Sequence, residues 1–192
     1  RYTENMIKMW ENDTIFVCPQ IDVNKELDYE SKTLKRGKRV SFNDCVEEIG
    51  LDLETKNIRL AYFNYVDENV LIIADPEQLR RVIHNIIGNS IKYLDKQQGF
   101  INIRIKDVGD FIQVEIEDNG RGISARDLPY IFDRFYRADA SRNSATGGSG
   151  IGLSIVKKII EDHGGKIWAT SKESIGTVMY FVIRKYQEVP NE

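Results

Sequence analysis

The sequence is poor in cysteine and histidine, with two residues of each among its 192. Cys18 and Cys45 show neither a CxxC spacing nor a neighbouring histidine cluster. This pattern argues against a disulfide framework and against a zinc site. It predicts two free thiols in a reduced, cytosolic setting.

Long apolar runs and a strong charge imbalance are also lacking. No apolar run approaches the roughly 20 residues that span a bilayer, and no signal-peptide pattern opens the chain. The net charge of −3 argues against non-specific binding of nucleic acid, which needs a basic face. Hydrophobic residues make up 41% and charged residues 30%, as in soluble globular proteins. The first residue is Arg1 instead of Met, which suggests a segment of a longer protein.

The periodicity of apolar residues predicts helices and strands in alternation. The expected helices lie at 2–10, 23–36, 41–56 and 150–163, with a further one that begins at Asp75-Pro76; the expected strands lie at 58–65, 70–74, 100–106, 111–118, 166–171 and 177–185. The strands at 58–65 and 70–74 are expected to pair with each other. This order predicts one mixed sheet with helices layered on one face.

One side of the helix that begins at Asp75-Pro76 carries four polar residues. Asn85 and Asn89 are four residues apart, and Lys92 and Tyr93 follow one turn later, beside the apolar stripe. An amide oxygen can ligate Mg²⁺ without adding negative charge near phosphates, and an amide NH₂ or an ammonium group can donate to phosphate oxygens. This edge has the chemistry of a pocket wall, although alone it is also typical of a solvated helix face.

The segment Asp118–Gly122 directly follows a predicted strand. Its glycines, Gly120 and Gly122, allow the backbone to approach a flat ligand closely. The carboxylate of Asp118 can accept a hydrogen bond from an exocyclic amine such as that of adenine. The same five residues could equally form a turn.

A second glycine-rich segment, Gly147–Leu153, leads into the last predicted helix. Free N–H groups and the positive end of the helix dipole favour an anion at such a place. The segment is not a Walker A sequence, because no Gly-Lys-Ser/Thr follows, and it is not a Rossmann turn, because no strand precedes it.

A long connection, residues 119–149, runs from the first of these segments into the second. We name it the lid. It contains five arginines and three aspartates but no lysine or glutamate. Guanidinium groups match phosphate oxygens, so this excess of positive charge fits a segment that closes over polyphosphate. The aromatic residues Phe132, Phe135 and Tyr136 are expected to anchor the lid, or to form a small satellite core.

Together these segments resemble the nucleotide-binding boxes of sensor histidine kinases, within the wider superfamily that includes gyrase, Hsp90 and MutL ATPases. Residues 84–93 resemble the Asn box, Asp118–Gly122 the first glycine box, residues 131–137 the Phe box and Gly147–Leu153 the second glycine box; 163–168 and Gly176-Thr177 match the closing segment of the family. The similarity covers residues 40–184 and is highly specific.

The resemblance implies an α+β fold of Bergerat type, a two-layer α/β sandwich in which helices cover one face of a mixed sheet and a long lid closes the site. It implies a catalytic and ATP-binding domain at 38–187. Residues 1–37 would be a helical segment or the remnant of a dimerisation helix, and residues 188–192 a polar tail.

The resemblance also implies roles for individual residues. The residues expected to act in catalysis are Asn85, Lys92 and Arg137, with Asn85 as the ligand of Mg²⁺. The residues expected to hold ATP are Asn89, Tyr93, Asp118, Gly120, Gly122, Gly148, Gly150, Gly152, Leu153 and Thr177. Asp118 would bind the adenine amine, supported by Thr177 through water. Arg137, with Arg134 as the alternative, would lie near the γ-phosphate.

Asn85 also bears on the type of reaction. The ATPases of the superfamily have a glutamate at this position, where it acts as the general base that activates water, whereas an amide has no useful basicity. Asn85 therefore favours transfer of the phosphoryl group to a protein over hydrolysis. The alternative is a degenerate kinase that senses nucleotide without catalysis; the intact boxes favour the kinase.

A suitable phosphoacceptor is missing from the sequence. His84 and His163 do not match the family pattern, a histidine followed by an acidic residue and an arginine on a long helix, so both are expected to be structural. Besides ATP and Mg²⁺, the expected partners are the dimerisation and phosphoacceptor domain of the parent kinase and the receiver domain of a response regulator. We expect this segment to be a cytoplasmic domain that contacts neither nucleic acid nor membrane, in a parent anchored in the bacterial cell membrane.

Overall fold

The computed structural model describes residues 16–18, 27–28, 33–34, 40–41, 46, 49–50, 53, 56–67, 70–138 and 150–187. The strands are β1 (Phe16–Cys18), β2 (Leu27–Asp28), β3 (Thr33–Leu34), β4 (Val40–Ser41), β5 (Ile58–Asn64), β6 (Ile72–Ile73), β7 (Gly99–Val108), β8 (Phe111–Asp118), β9 (Lys166–Lys172) and β10 (Gly176–Arg184). The helices are α1 (Pro76–Lys92), α2 (Gly152–Asp162) and a short 3₁₀-helix, Leu128–Tyr130. Residues 46, 49–50 and 53 are also helical, within the helix predicted at 41–56.

The main sheet has five strands in the order β5-β7-β8-β10-β9. β5 and β7 are parallel, and the other neighbours are antiparallel. Parallel neighbours need a crossover connection, and α1 lies in the connection between β5 and β7. The mixed sheet with helices is the fold expected from the sequence.

Two local expectations are wrong. The strand at 58–65 does not pair with the one at 70–74: β5 pairs with β7, whereas β6 pairs with β1 in an antiparallel arrangement. In the stretch predicted as a helix at 23–36, the described residues form the antiparallel pair β2 and β3. The thin apolar stripe there did not distinguish a helix from short strands. The helix expected at 2–10 lies outside the described residues.

The register of the sheet aligns the buried residues of neighbouring strands. Ile103 of β7 lies opposite Ile116 of β8, which lies opposite Met179 of β10, and all three are buried. The same face packs against the helices in one apolar cluster that includes Ile83, Ile86, Ile87, Val156, Ile159 and Ile160. Side chains alternate across a strand, so the helices cover one face of the sheet.

Hydrogen-bonded ion pairs lie on the opposite face. Glu115 is buried between Arg104 and Lys106, at 2.8 Å from each, and Arg104 also reaches Glu117 at 2.8 Å. Burial raises the pKa of Glu115, but hydrogen bonds from Arg104, Lys106 and Gln113 outweigh it, and the net pKa is lowered. This pairing allows a carboxylate to be buried on the face without helices.

Helix α1 begins as its sequence predicts. The Asp75 side chain accepts hydrogen bonds from the backbone N–H groups of Glu77 and Gln78, and Pro76 occupies the first turn. Its apolar stripe is buried against the sheet. Among the described residues, no helix combines the length and the apolar character needed to cross a membrane.

His163 joins the end of α2 to the start of α1. Its ring is buried; Nε2 accepts the backbone N–H of Asp75 at 3.0 Å, and Nδ1 lies 2.7 Å from the carbonyl of Ile159. Since one ring nitrogen accepts, the other carries the proton and donates. His163 is structural, as expected.

Gly88 and Gly109 provide a matched test of how the backbone conformation at a glycine affects stability. A Cβ would meet no atom within 4 Å at either position, but Gly109 has a φ of +70° in the turn between β7 and β8, whereas Gly88 lies inside α1. Gly88→Ala should raise the free energy of unfolding by about 0.5–1 kcal/mol, because alanine loses less entropy in a helix. Gly109→Ala should lower it by about 1 kcal/mol, because a left-handed conformation strains alanine. Urea denaturation of both variants measures the difference; a stabilised Gly109→Ala variant would contradict the assignment.

Candidate functional site

Helix α1 presents the side chain of Asn85 to the start of α2. The amide Nδ2 donates to the backbone carbonyl of Arg81 at 2.9 Å. The amide oxygen is directed at Gly152, where a Cβ would lie 3.2 Å from it. The acceptor end of this amide therefore faces the second glycine-rich segment.

The first glycine-rich segment lies against the C-terminal end of α1. The backbone N–H of Arg121 donates to the carbonyl of Tyr93 at 3.1 Å. A Cβ on Gly120 would lie 2.7 Å from that carbonyl oxygen, so only glycine allows this approach without a shift. The Arg121 guanidinium lies 4.5 Å and the Lys92 ammonium 5.2 Å from the centre of the exposed Tyr93 ring, as in cation–π contacts.

Asp118 ends β8 on the side of the sheet that faces the helices. Its Oδ1 accepts the backbone N–H of Gly120 at 2.9 Å, and its Oδ2 accepts the Ser90 hydroxyl at 2.7 Å. A carboxylate has about four acceptor positions. Donors of the described residues use two of them, which leaves acceptor positions that suit a ligand.

Thr177 lies on β10 directly opposite Asp118. It is buried, and its hydroxyl lies 2.8 Å from that of Ser171 on β9. The Ser171 hydroxyl also accepts the backbone N–H of Ile123 at 2.8 Å. This chain of hydrogen bonds joins the strand ends to the residue that follows the first glycine-rich segment.

The N-termini of the two helices differ. Asp75 caps α1, whereas no side chain of the described residues caps the backbone N–H groups at the start of α2. Uncapped N–H groups and the positive end of the helix dipole attract anions. The start of α2, next to the Asn85 oxygen, is therefore suited to phosphate groups and their metal ion.

The described part of the lid meets the second glycine-rich segment at Phe135. Its backbone N–H donates to the carbonyl of Gly150 at 2.9 Å, and its ring is 70% exposed. Behind it, Asp127 accepts the Tyr136 hydroxyl and the Ser124 hydroxyl, each at 2.7 Å. These bonds lower the pKa of Asp127, and the bond to Asp127 raises the pKa of Tyr136. The Phe box is thus fastened to the first part of the lid.

The structure brings expected residues together at two places, the middle of α1 and its C-terminal end, and leaves others apart. Asn85 meets Gly152, and Tyr93 meets Gly120, while Leu153 packs against the core. Asn89 and Gly122 are partly exposed, with Gly122 against the backbone of Lys172, and Lys92 and Arg137 are exposed. Gly148 lies outside the described residues.

The hydroxyl groups of Ser90 and Ser171 take part in these contacts but were not predicted from the sequence. Ser90 follows Ile86 by four residues and Ile87 by three, so it is a polar residue on the buried stripe of α1. That position was a signal, since buried hydroxyl groups need partners. Ser171 gave no comparable signal, because its partners depend on how β9 pairs with β10.

Comparisons with known proteins identify similar sequences. Residues 74–187, more than half of the chain, match the family described as histidine kinase-, DNA gyrase B-, and HSP90-like ATPase. The sensor histidine kinase WalK of Bacillus subtilis (strain 168) is 35% identical over 127 residues, which cover 65% of this chain and 21% of that protein. The sensor protein kinase WalK of Staphylococcus saprophyticus is 32% identical over 184 residues, 94% of this chain and 28% of that protein. The chain thus spans between about a fifth and a third of the length of these curated relatives.

A solved structure is similar as well. The catalytic domain of the histidine kinase ThkA has 30% sequence identity and a TM-score of 0.61, with 74% of this chain and 91% of that chain covered.

Asp127→Asn tests the contact that fastens the lid. The raised pKa of Tyr136 comes first from its hydrogen bond to Asp127, so the substitution should lower that pKa towards the ordinary value of tyrosine. A titration followed by NMR of ¹³C-labelled tyrosine measures the change. The bond should persist between the lowered pKa of Asp127 and the raised pKa of Tyr136, and break as the pH falls below the first or rises above the second.

Asp133→Asn is the matched control, because Asp133 is an exposed carboxylate in the same segment and should leave the Tyr136 titration unchanged. An unchanged Tyr136 pKa in Asp127→Asn would show that the two side chains are not bonded in solution.

Proposed function

Since the chain belongs to the family of histidine kinase-, DNA gyrase B- and HSP90-like ATPases, in the branch of the sensor histidine kinases, we propose that it binds ATP with Mg²⁺ and transfers the γ-phosphoryl group to a histidine of a separate dimerisation domain. The observation that carries this proposal is the position of Asn85, whose amide oxygen faces the uncapped start of α2. We propose residues 38–187 as the domain that performs it.

The adenine end of the proposed site is built around Asp118. An acceptor-only carboxylate at a strand end suits the exocyclic amine of adenine and repels a carbonyl at that position. Gly120 has no side chain that would fill the space beside Asp118. Tyr93 has an exposed ring at the edge of the proposed site. Thr177 would support Asp118 through water.

The phosphate end is built around α2 and Asn85. The backbone N–H groups of Gly152 and Leu153 would donate to phosphate oxygens, and Gly148 and Gly150 would let the chain pass close to them. Asn89 and Lys92 would add donors from α1, and Arg137 would bring a guanidinium from the lid. A Mg²⁺ ion would neutralise phosphate charge, and the Asn85 oxygen fits it, because the nitrogen of that amide is already bonded to α1.

The reaction proposed for this site is an in-line transfer. The bond between the γ-phosphorus and the β,γ-bridging oxygen breaks, a bond from the histidine nitrogen to phosphorus forms, and ADP leaves. The amide of Asn85 cannot remove a proton from water, and the lid would exclude water from the site. Residues of this chain position the phosphate groups and neutralise their charge, whereas the nucleophile comes from the dimerisation domain. The response regulator would also act on that domain.

Asp118→Asn should weaken ATP binding by at least about tenfold, because the amide turns a donor towards the adenine amine and leaves it unpaired. Isothermal titration calorimetry with ATP and Mg²⁺ measures the affinity. Glu117→Gln is the matched control: it is the same chemical change one residue away, on the opposite face of β8 beside Arg104, and it should leave affinity unchanged. Equal affinities of wild type and Asp118→Asn would remove Asp118 from the adenine site.

The transfer itself is tested by mixing this domain with the dimerisation helices of its parent and γ-labelled ATP. Acid-labile, base-stable phosphate should appear on the helices, as expected for phosphohistidine. Asn85→Ala should abolish it, since the metal ligand is lost while the helix is kept. If ATP and Mg²⁺ bind but no such phosphate appears, the domain senses nucleotide without catalysis.

A further inference from the structure

Ser90 is a polar residue on the buried side of α1. The residue is 5% exposed, and a buried hydroxyl without a partner is costly. Its Oγ donates to Oδ2 of Asp118 at 2.7 Å. The bond joins the last turn of α1 to the end of β8, the two elements that carry the proposed adenine end of the site.

The two oxygens of Asp118 are held by donors of different kinds. Gly120 contributes a backbone N–H to Oδ1, and Ser90 a hydroxyl from a helix to Oδ2. The Gly120 donor follows Asp118 in the same turn, so it moves with that turn. Ser90 belongs to a separate element that is packed into the core, so among the described residues its hydroxyl is the side-chain group that ties the carboxylate directly to α1.

We propose that Ser90 is a positioning residue that orients the Asp118 carboxylate towards the exocyclic amine of adenine, and so contributes to the selection of adenine over purines without this amine. The inference rests on the proposed function. A positioning role differs from a purely structural role in one respect: the effect of Ser90 on nucleotide affinity should depend on whether the nucleotide carries the amine.

The test is a cycle in which the Ser90 hydroxyl and the nucleotide amine are removed singly and together. Ser90→Ala is compared with wild type by calorimetry, with ATP and with purine riboside triphosphate, which lacks the amine. We expect ATP affinity to fall by about three- to tenfold in Ser90→Ala and the affinity for the analogue to stay within about twofold. Ser90→Thr, which keeps a hydroxyl, should bind ATP more tightly than Ser90→Ala.

Equal losses with both nucleotides would show a structural role only and overturn the inference, and so would the absence of any loss. A folded Ser90→Thr variant that binds no better than Ser90→Ala would also contradict it. Thermal unfolding of each variant checks that it is folded.

A second measurement needs no nucleotide. Hydrogen exchange at the Gly120 amide should be faster in Ser90→Ala, because Asp118 is then free to turn away; unchanged exchange would overturn the inference. Failure of the wild type to bind ATP would instead contradict the proposed function, whereas failure of the Ser90 cycle alone leaves that function intact.

Discussion

The arrangement of the site depends on the burial of α1 against the sheet. Its apolar stripe, from Leu79 to Ile87, packs on β7 and β8, and this packing fixes how the helix is rotated about its own axis. Residues at the margin of the stripe are therefore fixed as well. Asn85 faces the start of α2 and Ser90 faces the end of β8 because Ile86 and Ile87, which lie between them, are buried in the core.

Capping distinguishes the N-terminus of α1 from that of α2, the proposed binding end. At α1, the Asp75 side chain accepts two backbone N–H groups, and the buried His163 accepts the N–H of Asp75 itself. At α2, Ile151 occupies the cap position and Gly152 is the first helical residue, and neither carries a side chain that could cap the helix. An anion at α1 would compete with a carboxylate, whereas at α2 it would meet N–H groups that no described side chain uses.

Much of the fold could be predicted from the sequence, because its signals are local. Asp75-Pro76 marks the start of α1, and the alternation of buried residues marks β7, β8 and β10 within one or two residues of their ends. Strand partners could not be predicted in the same way. The run at 70–74 indicates a strand, but nothing local indicates that its partner is β1 and not β5, since pairing depends on residues far apart in the chain.

The candidate site shows the same difference between local sequence signals and contacts that depend on distant residues. The glycine-rich segments and the polar edge of α1 are recognisable as patterns, and the structure brings their described parts together. The role of Ser90 could not be read from spacing, because its partner is 28 positions away along the chain. A serine on a buried stripe indicates that a partner exists, but only the fold identifies it as Asp118.

One helix therefore sets the distance between the two ends of the proposed nucleotide site. Asn85 and Ser90 are five residues apart, which corresponds to about 7.5 Å along a helix axis. The proposed adenine end is an acceptor, Asp118, and the proposed phosphate end has backbone donors at α2, so a ligand with a donor at one end and negative charge at the other would bind in one direction only. A shift of α1 by one residue would rotate its side chains by about 100° and move Asn85 and Ser90 off both partners at once. The apolar stripe prevents that shift, so the packing of the core also determines the polarity and the length of the site.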